Sequence, residues 1–520
     1  MKYIGCQLSN TEFIPKADGC QLSETGDAIV LLLGEAFDLG YRPLSSDSIL
    51  NLFVQAKENL CSAITGNYTL IAFDKLSRTI FAFQNALGSS VYLYFTYVSG
   101  CLFLNTSLHE LIVHSGISAE LNDKVVPHFL LNGFVVGSGT LLKGIGKLVP
   151  GCLLEATTEH AVQKPCKYFQ DTLSAGDAAS EWNDTLSDVL RVCYSAGANI
   201  ALSSGFDSNY ILHYGVENGN NPINAFSIGG NFKGNELPAV RKIADLYPSV
   251  NLNCADTDAN TFLQFPDIVR RLEGQVYERG AFLQYELAKL VSSKGFTSLI
   301  CGECANEVMN IDFRINQDSE IQPQALNAYI LDSYIAAAYI IIKKSGILLN
   351  SFGIDSRYPF ADQKVINLAY SLRYNNCQSK SFHIENCRSL FPDNVFSLLG
   401  NRGGSTKESS FMDSANSEIL DALIRENHFY NQYGKMLFDV KFSEPLYVQR
   451  TPNYNTHVRN PFKLMKSEIS ARKLDMVSRE SDRHDATMKA KLICLYLDLF
   501  CKIFEEGNNG IMISDFYKIY

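Results

Sequence analysis

The residues best suited to chemistry are Leu202-Ser203-Ser204-Gly205-Phe206-Asp207-Ser208. An apolar run from Asn199 leads into small hydroxyl and glycine residues, then an acid, then a segment compatible with a helix up to Val216. The pattern predicts a strand, a tight loop and a helix start. Such a loop points backbone N–H groups and the positive end of a helix at one place, which suits a phosphate. Small side chains let the phosphate approach the backbone. Asp207 would repel a bare phosphate, but it is well placed to hold a Mg²⁺ that bridges to one. The same spacing also suits an ordinary strand-to-helix turn capped by Ser or Asp.

These residues need a scaffold, and the surrounding pattern supplies one. After the loop, Ile223–Gly229 reads as a strand, Leu237–Leu246 as a helix and Ser249–Cys254 as a strand. Leu283–Ser293 then reads as helical and Thr297–Cys301 as a buried strand. Alternation of this kind predicts a parallel sheet covered on both faces. Ligands of such sheets bind beyond the carboxyl ends of the strands. The Ser203–Ser208 loop lies at one such end, and Cys301-Gly302-Glu303-Cys304-Ala305-Asn306-Glu307 at another. From about residue 325 the chain becomes helical, and periodicity returns around Met488–Phe504.

The first 165 residues read differently. Short apolar or alternating runs at Ala28–Leu33, Tyr68–Phe73, Thr79–Phe83, Val91–Phe95 and Cys101–Asn105 predict strands. Helical patterns occupy Ser46–Asn59 and about 125–132. A layered α+β domain over residues 1–165 follows, then a linker-like stretch at Gln163–Ser174 and a second domain over 175–520.

Composition bounds the function. The 520 residues are 46% hydrophobic and 19% charged, enough for substantial cores and unlike a disordered chain. A net charge of −10 argues against nonspecific nucleic-acid binding. The longest apolar runs fall short of the ~20 residues a membrane helix needs. The opening residues turn polar too soon for a signal peptide, so a cytoplasmic location with no membrane partner is expected. The 14 cysteines are scattered and read as reduced, buried side chains.

The motif Ser203-Ser204-Gly205-Phe206-Asp207-Ser208 resembles the S-G-G-x-D-S pyrophosphate loop of the asparagine synthetase family, whose members cleave ATP to AMP and pyrophosphate. Cys301–Glu307 resembles the family's s-G-E-G-x-D-E segment, and Gly353–Asp362 its g-x-E-x-R-x-P-F-L-D, a stretch that also suits a helix-ending proline turn with a local ion pair of Arg357 and Asp362. Ser405–Phe411 resembles its x-x-K-E-x-F loop. In the first half, Gly34-Glu35, Gly66-Asn67-Tyr68, Gln84–Gly88 and Thr140–Gly151 resemble, in order, segments of the family's glutaminase domain.

The resemblance implies an α/β chain of two parts. The first is a layered glutaminase-like α+β domain of the Ntn type. The second is a parallel-sheet ATP-pyrophosphatase domain of the adenine nucleotide alpha-hydrolase-like kind, with a helical tail. It further implies ATP and Mg²⁺ as cofactors. Leu202, Ser203, Ser204, Gly205, Asp207, Ser208, Ile228, Cys301 and Gly302 would hold the nucleotide, with Asp207 and Asn306 on the metal. Glu303, Asp355 and Lys407 would be catalytic.

The departures from the family pattern narrow the reaction. Active glutaminase domains use an N-terminal cysteine as nucleophile. Residue 2 is Lys2, Cys6 is too deep to offer its own amino group, and the family's Arg-Asp pair is Gln84-Asn85. The expected domain does not hydrolyse glutamine. Asn306 replaces a metal-binding acid, and Ser204 a glycine. Two branches have lost the nucleophile in this way, the β-lactam synthetases and the lasso-peptide macrolactam synthetases. The latter are the closer likeness. They imply a peptide substrate, a processed precursor core supplied by a leader peptidase, closed between its N-terminal amine and an Asp or Glu side chain. Cyclisation of a small amino acid derivative and ammonia-dependent asparagine synthesis are alternatives, as is a noncatalytic scaffold.

Overall fold

The strand Ala28–Asp38 is apolar at odd and even positions alike, so both of its faces must be covered. Ile29, Leu31 and Leu33 pack into a core with Ile4, Leu8 and Phe73, while Ala28, Val30 and Leu32 pack against Ile49, Leu50 and Phe53. Those last three lie on the helix Ser46–Ala56, whose start is capped by the Ser45 hydroxyl accepting from the Ser48 amide at 3.2 Å. A layered first half results. The helix covers a seven-stranded antiparallel sheet (Ala161–Pro165, Cys152–Ala156, Thr79–Gln84, Ile64–Asp74, Ala28–Asp38, Gln21–Glu24, with Pro43–Leu44 on Ala28–Asp38). That sheet faces a five-stranded one ordered Ile145–Lys147, Tyr94–Val98, Cys101–Asn105, Tyr3–Leu8, Phe13–Asp18. Phe13 and Phe73 stack between the sheets at 4.4 Å.

This is a computed structural model, and it describes residues 2–85, 87–166, 175–230, 235–278, 280–309, 337–374, 379–400, 412, 414–434 and 476–505. The fold is mixed α/β, antiparallel in the first half, parallel in the second, with a helical tail, as the sequence predicts. Among the described residues no helix is long and apolar enough to cross a membrane.

The second sheet has five parallel strands ordered Val250–Thr257, Ile223–Gly230, Asn199–Ala201, Ser298–Ile300, Asp355–Arg357. From Asn199–Ala201 the chain first builds outward on one side and then returns to build on the other. The strand order therefore reverses between Asn199–Ala201 and Ser298–Ile300, and such a reversal opens a crevice at the carboxyl ends. The final strand was not foreseen, because its three residues lie in a stretch that reads as a proline turn.

The halves are joined along one seam. Lys343 donates to the carbonyls of Ser89 and Val91 at 2.7 and 2.5 Å, and Tyr92 to that of Tyr339 at 3.0 Å. Asp362 accepts from Tyr41 at 2.8 Å and Thr65 at 3.0 Å. The helix Met476–Phe504 adds Tyr496, whose ring meets Phe129 of the first half and Phe265 and Tyr277 of the second.

Two buried ionisable groups give the fold a pH signature. Glu273 accepts from the Leu108 amide at 2.6 Å and the Ser107 hydroxyl at 3.0 Å, and burial pushes its carboxyl up to about 7. Lys147 donates to the carbonyls of Val135 and Gly139, and burial pulls its amine down to about 7. Between pH ~4.3 and 7 the native state keeps the Glu273 proton that the unfolded chain gives up, so stability falls as pH rises. Between pH 7 and ~10.4 the unfolded chain keeps the Lys147 proton that the native state gives up, so stability rises with pH. The two contributions make a trough near pH 7. Urea midpoints at pH 5, 7 and 9 should show it, with Glu273→Gln flattening the acid limb and Lys147→Met the alkaline one. Variant profiles parallel to that of the parent protein would contradict this.

Candidate active site

The crevice is lined where the sequence places its chemistry. Leu202 extends the central strand by donating to the Phe226 carbonyl at 2.9 Å, and the chain then turns through Ser203–Gly205 into the helix Phe206–Glu217. The turn is tied internally. The Ser208 hydroxyl accepts from the Ser203 amide at 3.1 Å, and the Ser203 hydroxyl accepts from the Gly205 amide at 3.1 Å. Asn209 donates to the carbonyls of Ser203 and Gly205 at 2.9 and 2.7 Å. The first-turn amides that follow have no acceptor within their own helix, which is the arrangement that receives an anion.

The second segment packs directly on the first. Cys301 is buried, and its amide donates to the Arg357 carbonyl at 2.8 Å. At Gly302 a side-chain carbon would stand 3.1 Å from the Ser208 amide nitrogen and 3.4 Å from the Asp207 Cβ, so glycine permits the close approach. Ile228 lies two residues past the Phe226 register position, at the carboxyl end of its strand. Loop, Cys301–Glu303 and Ile228 thus share one end of the sheet.

Cys304 adopts a left-handed backbone, φ 70°, with its side chain buried. A side chain there costs about 1 kcal/mol or more that glycine avoids. Cys304→Gly should therefore be about 1 kcal/mol more stable than Cys304→Ala, which keeps the strain. Equal unfolding midpoints for the two variants would contradict this.

Charge at the site is concentrated. Burial holds the Glu303 carboxyl above the usual carboxylate range, against the opposing Lys344 ammonium. Burial also raises Glu307, on the short helix Ala305–Met309, with the like charges of Glu303 and Asp207 adding to it. Lys344 pairs with Glu278 at 2.7 Å. Burial disfavours its charge, but Glu278, Glu303 and Glu307 outweigh burial and hold its pKa above the ordinary value. Asp207 lies 3.5 Å from His383 Nε2, and the imidazole is fully buried among the rings of Tyr210, Phe360 and Trp182.

One expected site residue stands elsewhere. Asp355 pairs in register with Ser298, so it begins its strand, whereas the crevice lies past Ile300 and Arg357 at the other end. Its carboxylate is held by Lys2 at 2.8 and 3.0 Å. The expectation that it joins Glu303 is corrected accordingly: in a parallel sheet, the two ends of one strand cannot both face the ligand. Arg357 and Asp362 read as a local ion pair beside a proline turn, but each bonds to the first half instead, Asp362 to Tyr41 and Thr65 and Arg357 to Glu35, while Arg357 also donates to the Cys193 carbonyl within the second half. Lys407 lies outside the described residues. Asn306 is exposed, on the short helix Ala305–Met309 that follows Glu303. His383, Glu278, Lys344 and Glu236 carry no local pattern that marks them, and Glu236 stands just before the helix at Leu237 without capping it.

The site suits ATP and Mg²⁺. Among the described residues no group of three acids, histidines or cysteines forms a metal cage. Mg²⁺ bound with a nucleotide needs only one or two protein carboxylates beside phosphate oxygens and water. Asp207 at the head of the helix, with Asn306 nearby in sequence to Glu303, meets that need.

Residues 195–311 match the asparagine synthase family, and residues 44–169 the glutamine amidotransferase domain. The chain carries an asparagine synthase domain. It is an ATP-dependent ligase that forms carbon–nitrogen bonds. The asparagine synthase match takes in both the Ser203–Ser208 loop and the Cys301–Glu307 segment. No curated protein matched. Among solved structures, one titled as the structure of the allosteric regulatory enzyme of purine biosynthesis aligns with 50% of this chain and 75% of its own, at 7% identity and a TM-score of 0.21.

Proposed function

We propose that the protein joins an amine and a carboxylate of the same molecule through an acyl-adenylate, closing a macrolactam ring on a peptide. The observation that carries this reading is the state of the first half. Cys6 is buried in the core, and burial pushes its thiol far above the range in which it would act as a nucleophile. Lys2 is engaged with Asp355. Gln84 is consumed by bonds to Thr69, Ser89 and the Val91 carbonyl, and Asn85 donates to the Gly66 carbonyl. None of these described residues is placed to release ammonia from glutamine, and in this reading the substrate supplies the amine.

The ligase half then has three tasks. The first-turn amides after Gly205 and the Ser203 and Ser208 hydroxyls receive the departing pyrophosphate. Mg²⁺, held by Asp207 and Asn306, would neutralise phosphate charge. Glu303, a carboxyl whose proton affinity is raised by burial, takes the proton of the attacking amine. Lys407, assigned from its motif alone, would face the developing charge. Most of the catalytic effect comes from holding amine and carboxylate together.

The test is ATP turnover with Mg²⁺ and candidate peptides freed of their leader, following AMP, pyrophosphate and peptide mass together. Formation of AMP with loss of one water from the peptide is the expected result. AMP release without a mass change would count against ring closure. Absence of AMP with peptides, small β-amino acid derivatives and aspartate plus ammonia would replace the ligase reading with that of a scaffold.

A further inference from the structure

One carboxylate touches the phosphate loop and has no part in the reaction as derived. Glu236, just before the helix Leu237–Ala244, accepts a hydrogen bond from the Ser204 amide at 2.9 Å. The Ser204 carbonyl accepts from the Gly400 amide at 3.1 Å. The Ser204 hydroxyl is buried and has no partner among the described residues. Among them Ser204 is thus held through its backbone, between Glu236 on one side and Gly400 on the other.

A carboxylate on a phosphate-loop amide has two physical readings with opposite signs. As a competitor it would stand in for the phosphate and repel it, and removing it would tighten anion binding. As a brace it would fix the turn, and removing it would weaken binding. The rest of the turn decides between them. The Ser203 and Gly205 amides are already satisfied by the Ser208 and Ser203 hydroxyls, at 3.1 Å each. Glu236 supplies the acceptor for the remaining amide of the turn, so Ser203, Ser204 and Gly205 all point their N–H groups into protein. The anion then faces the helix amides after Gly205.

We propose that Glu236 is a positioning residue of the pyrophosphate loop, bracing Ser204 so that the Phe206–Glu217 helix start presents its amides to the nucleotide phosphates. The proposal rests on the loop being a nucleotide site, as proposed above. A second consequence is that the acceptor atom matters and its charge does not, since the bond is to a neutral amide.

The experiment is calorimetric binding of Mg²⁺-pyrophosphate and Mg²⁺-ATP to the full chain and to E236A, E236Q and E236D, with thermal unfolding of each. E236A should bind both ligands roughly tenfold more weakly, the effect of one buried amide left without its acceptor. E236Q should restore most of the affinity, and melting temperatures should stay close together. Binding by E236A equal to or tighter than that of the parent protein overturns the brace and makes Glu236 a competitor. Loss of affinity in E236Q as large as in E236A also overturns it. If E236A does not fold, E236D, which withdraws the carboxylate by one methylene, carries the same expectation and fails in the same way. A parent protein that binds neither ligand would instead sink the nucleotide reading itself.

Discussion

Replacing Asp207 by asparagine is expected to lower AMP formation by roughly 10²–10³-fold while leaving the fold intact. The side chain keeps its size and can still bond to His383, so the aromatic surround of the imidazole is undisturbed. What is lost is the one carboxylate at the head of the phosphate-loop helix. Without it no carboxylate at the loop would hold the Mg²⁺ against the phosphates, and Asn306 brings no charge of its own. The comparison to make is the rate of AMP and pyrophosphate release against Mg²⁺ concentration. Asp207→Asn should both slow the maximal rate and shift the Mg²⁺ dependence upward. A variant with unchanged AMP formation would exclude Asp207 from the metal.

A large effect on stability is expected at Gly346, at the seam between the halves. It lies on the helix Ile342–Ser351 where this helix meets the first half, and a side-chain carbon there would stand 2.6 Å from both the carbonyl oxygen and Cβ of Ser90. Most of that obstacle is backbone, which cannot rotate aside. Gly346→Ala should therefore cost about 3 kcal/mol, by forcing the halves apart next to the Lys343 bonds to Ser89 and Val91. Urea unfolding followed by tryptophan fluorescence reports on Trp182 in the second half. A cost below about 0.5 kcal/mol would mean that the seam is looser than the close approach implies.

The contrast between these residues shows what a sequence can carry. Asp207 was legible because its role is local: the acid follows the strand Asn199–Ala201 through one short turn, and spacing alone places it at a helix start. Glu303 was legible for the same reason, at the end of a buried apolar run. Glu236 and His383 were not, because each meets the loop from 29 or more positions away, and nothing in the pattern encodes which helix faces which. Asp355 was misplaced because a motif gives an order of residues but not the end of the strand each occupies. The two-faced apolar strand Ala28–Asp38 announced a layered domain, whereas Tyr3–Leu8, with its glycine and cysteine, did not announce a strand. Arg357 looked like half of a local pair, since its partner Glu35 is more than 300 residues away.

The helix Met476–Phe504 has a consequence for how the protein is made. Its Tyr496 ring sits 5.7 Å from Phe129, and the Glu505 carboxylate accepts from the Leu121 amide at 2.6 Å. Residues of the first sheets leave the ribosome early, yet this part of their packing is completed by a segment translated far downstream of them. At 5–20 residues per second the wait is on the order of half a minute. Throughout that interval the nascent first half carries an open apolar face around Phe129, and a chaperone that shields such surfaces has its natural client there.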